Sequence, residues 1–249
     1  MVAREICPGV WAVGALDWDR RLFDELIPLP NGTSYNAYVI KGTDKTALID
    51  TVDPSKDYDL VSNLVRLGIE KIDYIVINHA EQDHAGSLPM ILEFYPDAAI
   101  VTNEKCRDLL VALLHVPLDK FHVVKDRETL SLGDRTLEFI FTPWTHWPET
   151  QLTFLREDKI LFPCDLFGSH TATSDLFMRD DVPVRLVAFD LLWLEGQGCL
   201  KLPLRERRAL LEAIAPRPAA LCLAQTSQAD SPAEIASAFE AARARGNEG

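Results

Sequence analysis

Four side chains that can bind a metal ion fall within six positions of the sequence: His79, Glu81, Asp83 and His84. They directly follow an apolar run, Tyr74–Asn78, that is typical of a buried strand. Because successive side chains of an extended chain point to opposite sides, the alternating His79, Glu81 and Asp83 can face one side of a loop. Imidazoles and carboxylates are ligands for iron, zinc and manganese. The segment therefore predicts a metal site at a strand end, and the alternative is a polar loop with chance histidines.

Two further segments carry side chains that could complete such a site. His146 lies in a loop between two predicted strands, although by itself it could be a core histidine between Trp144 and Trp147. Asp165 follows an apolar strand, where a buried and unpaired carboxylate would cost several kcal/mol. Two cations that share this carboxylate would offset that cost. The alternative function of Asp165 is to cap the N-terminus of a following helix.

The elements that must position these residues are strands with helices between and after them. Strands are predicted at Val10–Val13, Ala37–Ile40, Thr46–Asp50, Tyr74–Asn78, Ala99–Thr102, Thr136–Phe141, Leu152–Leu155, Ile160–Phe162 and Ala220–Leu223. Helices are predicted at Tyr58–Leu67, Ser87–Phe94, Glu104–Leu114, Arg205–Ile214 and Ala233–Ala244. This order predicts sheets covered by helices. No Gly/Ser-rich linker divides the chain, so we predict one domain over residues 1–249.

The composition limits the classes of protein to which the chain can belong. Its 249 residues carry a net charge of −13, and such a surface repels the phosphate backbone of nucleic acids. No apolar run reaches the roughly 18 residues that span a bilayer, and the first residues do not follow the pattern of a signal peptide. The five cysteines have no CxxC spacing, which favours buried, reduced thiols. We expect a cytoplasmic protein without a nucleic-acid or membrane partner.

The combined motifs resemble one family. The pattern HxExDH, the later HWPET, the segment CDLFGSH and the N-terminal DWDRRLFD are similar to the diiron domain of flavodiiron proteins, within the metallo-β-lactamase superfamily. In the zinc hydrolases of that superfamily the position of Glu81 is usually a histidine, and the additional carboxylate favours iron over zinc. The resemblance implies a metallo-β-lactamase-like αββα sandwich, of class α/β (α+β).

The resemblance also implies which residues bind the two irons. One iron would be held by His79, Glu81 and His146, and the other by Asp83 and His84. Asp165 would bridge them.

The resemblance gives weaker indications for four other residues. Asp50 would orient a ligand, and His170 would line the pocket, unless it is a surface or helix-capping residue. The family's last histidine ligand has no counterpart, because no histidine follows His170. Gln228, or as a second choice Gln225, stands in its place. An amide oxygen is a poorer ligand than an imidazole, so we expect the second metal to be weakly held.

The implied ligands indicate a non-haem diiron protein that binds O₂ or NO, and that reduces it when an external electron donor is supplied. The family's FMN-binding flavodoxin domain is not recognised before Gly249, so we expect no FMN in this chain. A separate flavoprotein or rubredoxin would then supply electrons, and the family's head-to-tail pairing implies a homodimer. The alternatives are an O₂ or NO sensor or carrier without turnover, a zinc-dependent metallo-hydrolase, and a scaffold that has lost its second metal.

Overall fold

The computed structural model describes residues 2–177, 186–188, 190–194, 197–214, 221–224, 229 and 231–244. They fall into two compact units, Met1–Leu176 and Phe177–Gly249; among the described residues the first has two hydrophobic clusters and the second has one. The single domain over residues 1–249 stays a prediction. In the part of the chain that the structure describes, no helix is long and apolar enough to cross a membrane.

The first unit is built from two main sheets and four helices. Its strands are β1 (Arg4–Cys7), β2 (Val10–Ala12), β3 (Ala15–Asp17), β4 (Leu22–Phe23), β5 (Ile27–Pro28), β6 (Thr33–Tyr35), β7 (Tyr38–Lys41), β8 (Thr46–Ile49), β9 (Tyr74–Val76), β10 (Ala99–Thr102), β11 (Phe121–Val123), β12 (Thr129–Ser131), β13 (Thr136–Phe141), β14 (Gln151–Leu155) and β15 (Ile160–Phe162). Its helices are α1 (Asp57–Arg66), α2 (Gln82–Ala85), α3 (Leu88–Phe94) and α4 (Glu104–Leu114), with 3-10 turns at Pro54–Lys56 and Leu118–Lys120. The larger sheet has the order β1-β2-β7-β8-β9-β10-β11, and the smaller has the order β12-β13-β14-β15.

The central strands of the larger sheet are apolar on both faces because both faces are covered. Leu48 and Ile75 pack with the helices, whereas their neighbours Ile49 and Val76 pack with the smaller sheet. Successive side chains of a strand point to opposite faces, so each strand contributes to both cores. Full burial of each such side chain contributes about 1.5–3 kcal/mol. The resulting layers of helices, sheet and sheet confirm the predicted α/β class.

Parallel pairing places the residues that follow β8 and β9 at one edge of the larger sheet. Strands β8, β9 and β10 run parallel, with Ile49 opposite Val76 and Val76 opposite Val101. Their carboxyl ends therefore lie side by side, which is the edge where sites form in such sheets. Asp50 follows β8 directly, and its N–H donates to the Val76 carbonyl at 2.8 Å. The register of β8 and β9 continues to place Ile77 opposite Asp50, and His79 follows two residues later in the loop after β9.

The second unit has two short strand pairs and two helices among its described residues. The strands are β16 (Leu186–Ala188), β17 (Trp193–Leu194), β18 (Gln197–Gly198) and β19 (Leu221–Leu223), and the helices are α5 (Leu204–Ile214) and α6 (Pro232–Ala244). Strands β16 and β19 pair in parallel, and β17 and β18 pair antiparallel. A small cluster of Leu191, Cys199 and Leu211 holds α5 to these strands. Both helices lie within one residue of their predicted starts.

Candidate metal centre

Four donor side chains converge where the loop after β9 meets the loops after β13 and β15. They are His79, Glu81, His146 and Asp165, and one donor atom from each lies within 4.8 Å of the other three. We call them the first-metal group. Glu81 Oε2 lies 3.0 Å from His79 Nε2 and 3.2 Å from His146 Nε2. Asp165 Oδ2 lies 3.8 Å and 3.7 Å from the same two nitrogens. The four atoms surround one position, as ligands of a single ion do.

Glu149 fixes the orientation of the His79 ring. The His79 Nδ1–H donates to Glu149 Oε1 at 2.7 Å, and both side chains are fully buried. Glu149 is held in turn by the Ala80 N–H, which donates to Oε1 at 3.3 Å, and by Asn103 Nδ2, which donates to its carbonyl at 2.6 Å. Because a carboxylate only accepts, Nδ1 must carry a proton and Nε2 is left to face the first-metal group.

A second group of donors lies directly beside the first. Donor atoms of Asp83, His84 and Asp165 lie within 4.8 Å of one another, and we call these residues the second-metal group. His84 Nε2 lies 3.1 Å from Asp165 Oδ1 and 3.6 Å from Asp83 Oδ2. Asp165 therefore faces the first-metal group with Oδ2 and the second-metal group with Oδ1, which is the arrangement of a bridging carboxylate.

A short helix, and not an extended loop, positions Asp83 and His84. Both lie in α2, so the alternation expected from the sequence does not continue to Asp83. The N–H and hydroxyl of Thr51 hold this turn by donating to the His84 carbonyl at 2.7 Å and 2.8 Å. A Cβ added at Gly86 would lie 2.6 Å from Pro54 Cδ, so only glycine lets α2 end against the preceding 3-10 turn.

Two further donors lie beside the His84 ring. Asp50 Oδ2 lies 3.5 Å from His84 Nδ1, whereas Cys164 Sγ lies 3.7 Å from Nδ1 and 3.8 Å from Nε2. Asn78 fixes Asp50 by donating its N–H to Oδ1 at 2.7 Å and its side-chain amide to Oδ2 at 3.1 Å. We call Asp50, His84 and Cys164 the thiol group, whose donor atoms also lie within 4.8 Å of one another. Asp50 is thus in position to orient His84, the role predicted for it.

The histidines of the site hold two of its carboxyl groups in the ionised form. Burial opposes the ionisation of Glu81, but hydrogen bonds from His146 and His79 outweigh it and lower the pKa of Glu81 to about 2. Burial likewise opposes the ionisation of Asp165, and the charge and hydrogen bond of His84 reverse this and lower its pKa. Both carboxylates are therefore available to a cation at neutral pH.

Asp83 differs from these two acids. Burial raises its pKa to about 6, and the neighbouring charges do not reverse the shift. Among the described residues, Asp83 Oδ1 is buried and has no hydrogen-bond partner. For His79, burial favours the neutral ring, but hydrogen bonds with Glu149 and Glu81 outweigh it and raise its pKa to about 9. A cation bound between these groups would displace the protons and satisfy Asp83.

The donors fit the two irons that the sequence predicts. Both metal groups contain only imidazole nitrogens and carboxylate oxygens, which suit iron. Ligands about 2.0–2.2 Å from one ion lie about 3–4 Å from each other. The separations of 3.0 to 3.8 Å in the first-metal group agree with this spacing.

His170 lies outside the three donor groups found among the described residues. Its Nδ1 is 3.0 Å from Thr33 Oγ1, and its ring lies 4.6 Å from the Phe23 ring at an angle of 40°. Nearby, Asp24 accepts from Gln82 Nε2 at 3.2 Å, and burial together with the charge of Glu81 raises the pKa of Asp24. These residues belong to the DWDRRLFD segment and its surroundings, which therefore borders the centre.

The structure brings together all six residues that the sequence predicts as ligands: His79, Glu81, Asp83, His84, His146 and Asp165. Sequence reasoning missed Glu149 and Cys164. Glu149 follows His146 by three residues within the HWPET segment, and this proximity was the one available signal. Gln225 and Gln228 lie outside the described residues.

The layered sheets and the donors at the strand ends define a metallo-β-lactamase-like metal-binding domain. The model of the ODP family of beta lactamases matches residues 33–217, and the chain belongs to this family.

Relatives and solved structures agree with this assignment. The nitric oxide reductase of Moorella thermoacetica is 42% identical over 186 residues, which is 73% of this chain and 46% of that protein. The flavodiiron protein of Giardia intestinalis is 38% identical with a TM-score of 0.65, over 70% of this chain and 42% of that one. Rubredoxin oxygen:oxidoreductase of Desulfovibrio gigas is 37% identical with a TM-score of 0.67, over 70% and 43%. The chain thus spans less than half the length of these relatives.

Proposed function

We propose that this chain is a non-haem diiron domain that binds O₂ or NO, and that reduces the gas when an external electron donor is supplied. The observation that carries the proposal is that Asp165 presents one oxygen to each of two adjacent nitrogen and oxygen donor groups. When bound, two irons would supply Lewis-acid and redox chemistry at this position. The names of the relatives, which are a nitric oxide reductase and an oxygen oxidoreductase, support the choice of gas.

The chain's own residues would orient the metals and limit the access of water. Glu149 holds His79 from behind, and the edge of Trp147 meets the His79 ring at 4.9 Å and 78°. The His146 ring meets it at 4.9 Å and 74°, so aromatic surfaces cover the buried histidine. The opposite side of the centre is more open, because Asp165 keeps a third of its side-chain surface exposed. A diatomic gas would approach from that side.

Reduction of the gas at this centre would need a source of electrons. A separate flavoprotein or a rubredoxin-type protein is the class of donor that we propose. The name of the Desulfovibrio gigas relative, which includes rubredoxin, supports this choice. Without a donor, the same site would act as an O₂ or NO sensor or carrier. A cytoplasmic location and a homodimer stay predictions from the sequence.

A zinc-dependent hydrolase is the less favoured function. Glu81 contributes an anionic oxygen to the first-metal group, and hard oxygen ligands favour iron. Zinc could occupy the same donors, so the metal must be measured and not assumed.

The proposal can be tested by anaerobic reconstitution of the chain with Fe²⁺, followed by Mössbauer spectroscopy and stopped-flow mixing with NO or O₂. We expect two irons per chain with coupled spectra after oxidation, and rapid loss of the gas from solution. Sustained consumption should require a reduced flavoprotein or rubredoxin and should be absent with NADH alone. His79→Ala should lower the first iron's occupancy, whereas His122→Ala, an exposed histidine beside Glu128, should leave it unchanged.

Two results would contradict the proposal. The first is a chain that binds only zinc after equal exposure to zinc and iron. The second is a coupled diiron protein that reacts with neither gas, with or without a donor.

A further inference from the structure

Two buried amide side chains, those of Asn103 and Gln151, lie behind the acid that orients His79. Asn103 directly follows β10, Gln151 is the first residue of β14, and neither is more than 5% exposed. Asn103 Nδ2 donates to Gln151 Oε1 at 3.1 Å as well as to the Glu149 carbonyl at 2.6 Å. The Gln151 N–H donates to the Asn78 carbonyl at 3.0 Å. The proposed function assigns no role to Gln151.

The N-terminus of α4 fixes which way both amides point. The Cys106 N–H at this helix end needs an acceptor, and Asn103 Oδ1 accepts from it at 3.0 Å. Because an amide has one oxygen and one nitrogen end, the nitrogen of Asn103 must then face Glu149 and Gln151. Gln151 presents its oxygen to that nitrogen, which leaves its own Nε2 to donate elsewhere. A local requirement of helix capping thus determines that Gln151 offers a donor.

The same network contains a donor and an acceptor that lack partners. Among the described residues, Gln151 Nε2 and Glu149 Oε2 are both buried and make no hydrogen bond. Glu149 Oε1, by contrast, accepts from His79 Nδ1 at 2.7 Å and from the Ala80 N–H at 3.3 Å. Of the described side chains, the other buried acceptor without a partner is Asp83 Oδ1, which belongs to the second-metal group. Buried polar groups are nearly always paired, so the two complementary atoms behind His79 are each other's nearest candidates.

We propose that Gln151 is a positioning residue of the first metal site, and that its Nε2 donates to Glu149 Oε2, directly or through one buried water molecule. The last side-chain bond of Glu and Gln rotates softly, so a small rotation can form this contact while the other hydrogen bonds persist. With both of its oxygens engaged, the Glu149 carboxylate cannot turn away from the His79 Nδ1–H. The His79 Nε2 lone pair then stays directed at the ion. The inference rests on the metal centre of the proposed function, but on no reaction with a gas.

Gln151→Met tests the inference in the full chain, because it removes the donor and keeps a long unbranched side chain. The probe is one equivalent of Zn²⁺, a diamagnetic ion, bound to protein with isotope-labelled histidine. We expect the Zn²⁺ affinity to fall by about threefold, less than the roughly 10–100-fold that a direct outer partner contributes. The His79 Nδ1–H resonance, assigned by its loss in His79→Ala, should exchange with solvent faster than in wild type. Circular dichroism follows the fold.

Thr153→Val is the matched control. Thr153 lies two residues further along β14, is fully buried, and donates to Asn78 Oδ1 at 2.7 Å. Valine has nearly the same shape, so this variant loses one buried hydrogen bond without altering a contact of Glu149. The Zn²⁺ affinity and the exchange of the His79 proton should both stay unchanged. A general loosening of β14 would instead appear in both variants.

Asn103→Asp reverses the pattern of donors and acceptors while the cap of α4 is kept. The new carboxylate still accepts from the Cys106 N–H, but it offers an oxygen where Asn103 offers a nitrogen. Gln151 must then turn its nitrogen to that carboxylate and its oxygen to Glu149, which has no use for a second acceptor. We expect a larger loss of Zn²⁺ affinity than in Gln151→Met. In the double variant the loss should be smaller than the product of the two single losses, because both changes act through one contact.

The inference is overturned if Gln151→Met leaves both the Zn²⁺ affinity and the exchange of the His79 proton unchanged, or if Thr153→Val changes them equally. Independent effects of Asn103→Asp and Gln151→Met in the double variant would overturn it as well. Each of these results would leave the proposed function intact, since none concerns the second iron or the gas. A coupled diiron protein that reacts with neither gas would refute the proposed function alone.

Discussion

The two metal groups share Asp165 but differ in how firmly their other members are held. In the first-metal group, His79 is fully buried, and its Nδ1 is tied at 2.7 Å to Glu149, which the backbone holds in turn. In the second-metal group, Asp83 Oδ1 has no hydrogen-bond partner among the described residues. His84 Nδ1 lies 3.5 Å from Asp50, beyond a good hydrogen bond.

This difference shows how one fold can make two unequal sites from similar donors. Outer partners that fix a histidine contribute about 10–100-fold to metal affinity, and the first-metal group has a closer partner than the second. The sequence adds to the inequality, because no histidine follows His170 to complete the second site. We therefore expect a tightly held first iron and a more weakly held second iron.

The largest effect that we expect is the loss of iron from both metal groups at once. Asp165→Ala should lower the iron content from two per chain to fewer than one, because one carboxylate serves both groups. Iron would be measured by mass spectrometry of the metal after anaerobic reconstitution. Asp119→Ala, at an exposed position, is the control. Unchanged iron content in Asp165→Ala would mean that this residue caps a turn and bridges nothing.

Removal of iron from the wild-type protein with a chelator tests directly whether the two sites differ in iron affinity. A competing chelator should remove the second iron first, and the two phases should differ by about 10–100-fold in chelator concentration. Mössbauer spectra recorded between the phases should show an uncoupled single iron. If both irons leave together, the second site has a ligand that the described residues do not supply.

The contribution of Glu149 can be measured by a change that conserves its shape. Glu149→Gln keeps an acceptor for the His79 Nδ1–H but removes the charge, so the affinity of the first iron should fall about tenfold, at the lower end for such partners. The second iron should change less. Glu104→Gln, on the exposed side of α4, is the control. An equal loss at both sites would indicate a general change in the fold.

The pH should affect the two sites over different ranges. A raised pKa means that the group holds its proton to higher pH, and a metal must displace that proton. For His79, with a pKa of about 9, first-iron affinity should rise by about tenfold per pH unit up to pH 9. Asp83, with a pKa of about 6, adds a further loss of the second iron as the pH falls through 6. Metal titrations in buffers from about pH 5 to about pH 9, in steps of about one pH unit, measure how the iron affinity of each site depends on pH.

The sequence by itself was sufficient to predict the class of fold, most elements and the six proposed ligands. Helix α4 and strand β13 have the predicted bounds, because apolar periodicity is a local signal. Four of the proposed ligands could be selected because His79, Glu81, Asp83 and His84 come directly after an apolar strand, where their residue types are unusual. Spacing along the chain was enough to group His79 with Glu81, but not to decide that α2 turns Asp83 and His84 into a second group.

Only the tertiary structure determined which side chains contact and orient the proposed ligands. Glu149 is 70 residues from His79, and Cys164 is 80 residues from His84, so neither contact leaves a local pattern. The parallel register of β8 and β9 sets Asp50 beside the end of the next strand, and packing of the two sheets brings the loops after β13 and β15 to the same edge. Ligand identity depends on residue type, which a sequence displays. The strength and number of the sites depend on distances across the fold, which only packing determines.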